Sequence, residues 1–190
     1  MKVSMGAKTA ALPLPAWVIG VYDSTGRATA MTASWTGVCC SQPPCVYFSA
    51  RESRYTHECV VARKAFTVNI PSQQQAAIVD YLGTASGRKA DKLAAAGLTP
   101  VPSDLVDAPF IQEFPLIMEC KLVNTLELGT HSMFIGEIMD VKCDEDVLNA
   151  DGNVDVAKLQ PFIYSTVDSK YYSVTDVIGK GYELGMQIGS

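Results

Sequence analysis

The sequence predicts a mainly β domain with peripheral helices, in which strands from both ends of the chain close one barrel. Three observations lead there. Runs rich in β-branched and aromatic residues cluster toward the two ends, at Ala16–Tyr22, Val46–Ser49, Leu116–Leu126 and His131–Val141. Short helical patterns fill the middle of the chain instead of alternating with strands, which argues against a parallel βαβ sheet. No G-x-G-x-x-G follows the first strand, and G-x-x-x-x-G-K-[ST] occurs nowhere. At 190 residues, 48% hydrophobic and 18% charged, the chain can bury a sizeable core and is read as one domain over 1–190.

In order, Ala16–Tyr22 reads as a buried strand. Asp23-Ser24-Thr25-Gly26 is a turn, because Asp and Ser bond the local backbone and Gly takes a positive φ. Ala28–Val38 returns as the second arm of a hairpin. Gln42-Pro43-Pro44 stops it, since proline cannot donate to a ladder. Val46–Ser49 is a third strand. Ser53 is the expected N-cap of a helix running to about Lys64. Phe66–Ile70 is a fourth strand ended by Pro71, and Ser72 caps a helix over Gln73–Leu82.

After the break at Gly83–Gly87, a helix over Lys89–Ala96 ends at Gly97. Thr99–Pro109, with three prolines, reads as irregular. Leu116–Leu126 and His131–Val141 are strands, and Asp144–Val156 is an acidic loop. Phe162–Tyr164 and Tyr171–Val174 are short apolar returns. The residues from Gly179 are expected to be mobile or docked on a partner.

Net charge is −5, which disfavours nucleic acid or an anionic membrane as a general partner. Between Arg51 and Lys92, however, seven basic residues face four acidic ones, a local +3 that leaves −8 elsewhere. Such an island suits a small anionic ligand. No apolar run reaches the ~18 residues of a membrane span, and no signal peptide is recognisable at the N-terminus. The six cysteines, at 39, 40, 45, 59, 120 and 143, lack C-x-x-C spacing and a histidine cluster, so no metal site is expected. Free thiols fit a reducing cytoplasm.

Two segments carry the chemistry. Thr29-Ala30-Met31-Thr32-Ala33-Ser34-Trp35 offers small residues, hydroxyls and an indole, which suits a flat ring close to the backbone. Ser49-Ala50-Arg51, followed by Arg54-Tyr55-Thr56 at a helix start, offers guanidiniums, hydroxyls and free N–H groups, which suits a phosphate. A capped helix with surface arginines would look the same in isolation. Arg88 and Lys92, one turn apart after Ser86-Gly87, stand where a helix dipole disfavours cations unless an anion is present. Trp35 and Tyr164 are each either core or ring border, and His131 is either structural or a ring neighbour. The ligand joining a flat ring to a phosphate is read as flavin mononucleotide, FMN. No G-x-S-x-G elbow or Cys–His pairing supports nucleophilic catalysis, so no catalytic residue is assigned.

The ordered set of Pro13, Thr29–Trp35, Pro43-Pro44, Arg54-Tyr55-Thr56, Phe66-Thr67-Val68-Asn69, Ser86-Gly87 with Asp91-Lys92, Ala108-Pro109, Glu119-Cys120 and Gly136-Glu137 resembles the flavin reductase-like, FMN-binding split-barrel family, especially its flavoredoxin branch. The resemblance implies a homodimer of split β-barrels with noncovalent FMN near the subunit interface. On this sequence it implies Thr32, Ala33, Ser34 and Trp35 along the ring and ribityl chain. Ala50, Arg51, Arg54, Tyr55, Thr56 and Lys92 are implied around the ribityl and phosphate, with His131 and Tyr164 approaching the ring. Thr29 stands where relatives often carry Asn, keeping a hydroxyl without the amide. The implied function is a redox flavoprotein, either a flavoredoxin-like carrier served by a redox-protein donor or an NAD(P)H-dependent flavin reductase. The alternatives are a non-catalytic flavin-binding or sensory module and a barrel holding another planar ligand.

Overall fold

The computed structural model describes residues 1–174, 176–186 and 188. The first sheet segments are β1 (Leu14–Pro15), β2 (Trp17–Tyr22), β3 (Ala28–Ala33), β4 (Thr36–Ser41) and β5 (Pro44–Ala50), followed by α1 (Tyr55–Arg63) and β6 (Ala65–Ile70). A 3₁₀ turn at Gln73–Gln75 leads into α2 (Ala76–Thr84) and α3 (Lys92–Ala95). Then come β7 (Pro100–Pro102), β8 (Pro109–Ile111), β9 (Leu116–Glu127), β10 (Ser132–Cys143), α4 (Val156–Leu159), β11 (Phe162–Ser165) and β12 (Lys170–Ser173).

Seven strands form one antiparallel sheet in the order β3-β2-β6-β9-β10-β5-β4. Its two edges, β3 and β4, are consecutive in sequence and separated only by Ser34-Trp35. The sheet therefore curls until its edges meet at that bend without pairing, which is a split barrel. The bend is also why the expected single strand Ala28–Val38 is two strands. Where it reaches β5, Ser49 N donates to Trp35 O at 2.8 Å.

Strand alternation builds two cores. Ile19, Val21, Met31, Val46, Phe48, Phe66, Val68 and Phe134 fill the barrel. There Phe48 meets Phe66 edge-on at 5.0 Å and stacks on Phe134 at 5.1 Å. Val18 and Ala30 point the other way, onto Val79 and Leu82 of α2, Leu93 of α3, Ile111 and Phe162. β2 is thus covered on both faces, which explains its unbroken apolar run.

Several expected boundaries are corrected. α1 starts at Tyr55 with Arg54 in the N-cap position and no side-chain cap, so Ser53 is not the cap. Ser72 and Gln75 form a capping box, but on the 3₁₀ turn, and α2 begins three residues later than expected. The helix expected over Lys89–Ala96 shrinks to α3, because the Asp91 carboxylate accepts Ala94 N at 3.0 Å and fixes the start. The proline-rich Thr99–Pro109 region is not structureless: β7 pairs with β8, a two-stranded ribbon whose edges tolerate proline. Asn69 and Thr67 hold this ribbon on the barrel. Ile111 N donates to Asn69 Oδ1 at 2.8 Å and Thr67 Oγ1 donates to Pro109 O at 2.6 Å. The acidic loop holds a 3₁₀ turn at Glu145–Val147 and runs into the short α4, capped by Asp155. Within the tail from Gly179, residues 187, 189 and 190 lie outside the described residues.

Candidate functional site

Where the sheet edges meet, the chain leaves a groove of three lobes. The first, a cavity of about 150 Å³, is walled by Met31, Thr32, Ala33, Ser34 and Trp35 from the β3–β4 bend, by Ser49, Ala50 and Arg51 from the end of β5, and by Arg54, Gly83 and His131. A second, of about 60 Å³, lies at the start of α1 among Ser53, Arg54, Tyr55, Thr56, Ser86, Gly87 and Lys92. A third, of about 270 Å³, is bordered by Thr32, Ser34, Arg54, Asp80, Tyr164 and Tyr171. Arg54 and Gly83 border all three, so the lobes meet there. An ideal Cβ at 83 would sit 3.4 Å from Thr32 Cβ, in ordinary van der Waals contact across the junction.

The second lobe has the chemistry of an anion site. The first N–H groups of a helix lack intrahelical partners, and α1 has no side-chain cap to satisfy them. The dipole there favours negative charge. Arg54 adds a guanidinium, and Ser53, Thr56 and Ser86 add hydroxyls. Lys92 is buried, with Nζ donating to Leu82 O at 2.9 Å and Ala85 O at 3.0 Å, which leaves one N–H uncommitted. Burial, with a smaller contribution from the Arg54 charge, pushes its ammonium down to about 8. Among the described residues, no carboxylate borders this lobe.

Asp23 braces both sides of that corner. Its carboxylate accepts Tyr55 OH at 2.9 Å, Thr25 N at 2.9 Å, Thr25 Oγ1 at 2.7 Å, Arg27 N at 3.0 Å and Arg27 Nε at 3.1 Å. Burial pushes this carboxyl up, but the hydrogen bonds from Thr25, Tyr55 and Arg27 outweigh it and hold it well below the ordinary range. Arg27 Nη2 continues to Gly87 O at 2.8 Å. One buried carboxylate thus ties the start of α1 to the 86–87 loop.

In the first lobe, the Trp35 and His131 rings lie 4.7 Å apart at 35°. His131 Nδ1 bonds Thr130 Oγ1 at 2.9 Å, and burial, then the Arg51 charge, lowers the pKa of its imidazole, which is neutral at pH 7. Thr32 donates its hydroxyl proton to Val79 O at 2.5 Å, so toward the groove its oxygen can only accept.

Most of the expected site residues therefore converge. Met31, Thr32, Ala33, Ser34, Trp35, Ser49, Ala50, Arg51, Arg54 and His131 share the first lobe, Tyr55, Thr56 and Lys92 the second, and Tyr164 the third. Three do not reach the groove wall. Thr29 and Ala30 are buried in β3, Ala30 against the α2 core. Arg88 is turned outward, its guanidinium paired two-pronged with Glu58 at 2.9 and 2.7 Å and lying 4.9 Å over the Tyr55 ring. Sequence reasoning missed Asp23, Asp80, Tyr171 and the junction at Gly83. Asp23 looked only like a turn residue, and nothing in its neighbourhood signalled a bond to Tyr55, 32 positions away.

Among the described residues, no cluster of three or more His, Cys, Asp or Glu side chains is arranged to hold a metal ion. Among the same residues, no helix is long and apolar enough to cross a membrane. Residues 9–173 match the family model "Flavin reductase like domain". The flavoredoxin of Desulfovibrio vulgaris (Miyazaki F) is 45% identical and superposes with a TM-score of 0.92 over 97% of this chain and all of that one. The flavoredoxin of Methanosarcina acetivorans is 29% identical, with a TM-score of 0.88 over 98% of this chain and 97% of that one. A protein of Archaeoglobus fulgidus is 34% identical over 121 residues, which is 64% of this chain and 68% of that protein. The chain spans 68%, 64% and 49% of the length of the first three curated relatives it matches. With the split barrel formed and the family model matched along most of its length, the chain belongs to the flavin reductase-like domain family.

Proposed function

We propose that the protein binds FMN noncovalently and works as a flavoredoxin-like electron carrier, a homodimer in the cytoplasm that exchanges electrons with a redox-protein partner. The observation that carries this reading is the meeting of three lobes at Arg54 and Gly83, one anion-binding and one walled by an aromatic pair. The residues present fit the cofactor. An uncapped helix start, a guanidinium and a buried ammonium without a local carboxylate are what a phosphate needs. The lobe lined by Met31, Ala33, Ala50, Trp35 and His131 suits a planar head.

Bound flavin would supply the one- and two-electron chemistry. The chain's own residues bind, orient and shield. Arg54, Lys92, Ser53, Thr56 and the first amides of α1 would hold its phosphate, while Asp23 keeps that corner in register through Tyr55 and Arg27. Met31, Ala33 and Ala50 would keep water from a bound ring, and Trp35 and His131 would lie beside it. A neutral His131 can donate or accept one proton at Nε2 while Thr130 holds Nδ1. Exposed apolar side chains on β9 and β10, including Val123, Leu126, Met139 and Val141, support a second copy as partner. Whole-chain likeness to a flavoredoxin at 45% identity supports the carrier over the reductase.

Anaerobic mixing of the flavin-loaded protein with NADH and with NADPH tests the proposal. A carrier retains an acid-releasable yellow chromophore, is reduced by dithionite and shows no saturable reduction by either nucleotide. Rapid, saturable hydride uptake would make it a reductase instead. Protein that takes up no FMN would overturn both.

A further inference from the structure

The β4–β5 hairpin carries three of the six cysteines, on the side of the barrel wall away from the groove end. β4 is the last strand of the sheet, so β5 is its one pairing neighbour. Cys40 stands directly opposite Cys45 in the register of this pair, and a bulge between Val38 and Cys40 displaces Cys39. Cys39 and Cys40 are exposed, whereas Cys45 is buried. Val46 and Phe48 point into the barrel core, so alternation turns Cys45 to the outer face, the face on which its register partner Cys40 also lies. The pair lies four residues from Ser49, about 13 Å along the strand. None of the three borders the cofactor groove.

We propose that Cys40 and Cys45 are a redox-active dithiol, closed to an intrachain disulfide by exchange with low-molecular-weight disulfides and reopened by thiols. Directly opposed residues of an antiparallel pair have Cα atoms about 4.5–5.5 Å apart, inside the roughly 4.4–6.8 Å that a disulfide spans. The adjacent pair Cys39–Cys40 is excluded, because consecutive Cα atoms are about 3.8 Å apart. Cys59 and Cys120 are buried among the barrel's core residues.

The chemistry balances in two exchanges. Exposed Cys40, as thiolate, attacks one sulfur of RS–SR; the S–S bond breaks, one RS⁻ leaves and takes a proton, and Cys40–S–SR forms. Cys45, giving its proton to solvent, then attacks Cys40 Sγ and expels the second RS⁻, which is protonated in turn. The protein loses two electrons and two protons, and RS–SR becomes two RSH. Burial pushes the Cys45 thiol up, so exposed Cys40 is the thiol that attacks first.

The test is to incubate reduced, flavin-loaded protein with oxidised glutathione, alkylate the remaining thiols and map peptides without reductant. The expected product is a chain lighter by two hydrogen atoms, with Cys40 joined to Cys45 and four thiols alkylated, reversed by dithiothreitol. Cys45→Ser should stop at one glutathione on Cys40, and Cys39→Ser should leave the bridge intact. Six alkylated thiols in the wild type, or a bridge through Cys39, would overturn the proposal. Because the wild-type map alone decides it, variants that fail to fold do not shelter it, and failure of the flavin assignment leaves it standing.

Discussion

Asp23 shows how much of the anion corner depends on one side chain that never faces it. Its carboxylate joins Tyr55 to Arg27, and Arg27 reaches Gly87. Asp23→Asn keeps the shape but removes the charge from these bonds, at a cost of about 1–3 kcal/mol. FMN affinity should fall about tenfold or more while riboflavin affinity, which needs no phosphate corner, changes little; titrations with both ligands check this. Lys92 is a sharper case. Lys92→Met should weaken FMN binding by about 1.5–3 kcal/mol through loss of a charge-assisted bond, again sparing riboflavin. Its pH behaviour follows from a folded value of about 8 against an ordinary 10.5. Below pH 8 folded and unfolded chains both hold the proton, and the burial penalty is complete. Between about 8 and 10.5 the unfolded chain holds more protons, so flavin-free stability rises with pH across that window. Urea midpoints should show the rise in the wild type and not in Lys92→Met, while FMN affinity falls over the same range as the ammonium is lost.

Elements were legible wherever packing is two-sided. β2 and β6 read as strands because both their faces are covered, and the Asp23–Gly26 turn read correctly because its bonds are local. Helix starts were less legible: α1 begins after Arg54 with no side-chain cap although Ser53 offers a hydroxyl, and α3 begins at the local Asp91–Ala94 bond, three residues after the expected start. The Thr67–Asn69 pair looked like ordinary strand and proved to be the seam that fastens β8 to β6. Gly20 lies under the same seam. A Cβ there would come within 2.5 Å of Thr67 Oγ1 and 2.6 Å of the Pro109 backbone oxygen. Gly20→Ala should therefore destabilise the fold by about 1–3 kcal/mol, as overpacking does. The denaturant midpoint should drop with no change in slope.

At the scale of the molecule, the groove exists because the two sheet edges meet without pairing. The groove brings together elements that are far apart in sequence, from β3 to α1 to the 83–92 segment. FMN held at about 100 times its Kd should raise stability by about 2.7 kcal/mol, seen as a higher Tm. Riboflavin at the same concentration should raise it far less. A second copy on the exposed apolar face of β9 and β10 predicts a mass in solution twice that of the chain, read by light scattering.

The sequence by itself determined the class of fold, the strand cores and the kinds of group that gather at the site, because residue periodicity and composition are local properties. It placed hydroxyls and an indole on one strand and cations at a helix start. Only the tertiary structure decided which of them meet. Thr29 and Ala30 turned into the wall and Arg88 went to Glu58, whereas Lys92 came in beneath two carbonyls. Those outcomes depend on where the sheet curls and which buried carboxylate braces the corner, and such contacts span tens of residues that no local pattern records.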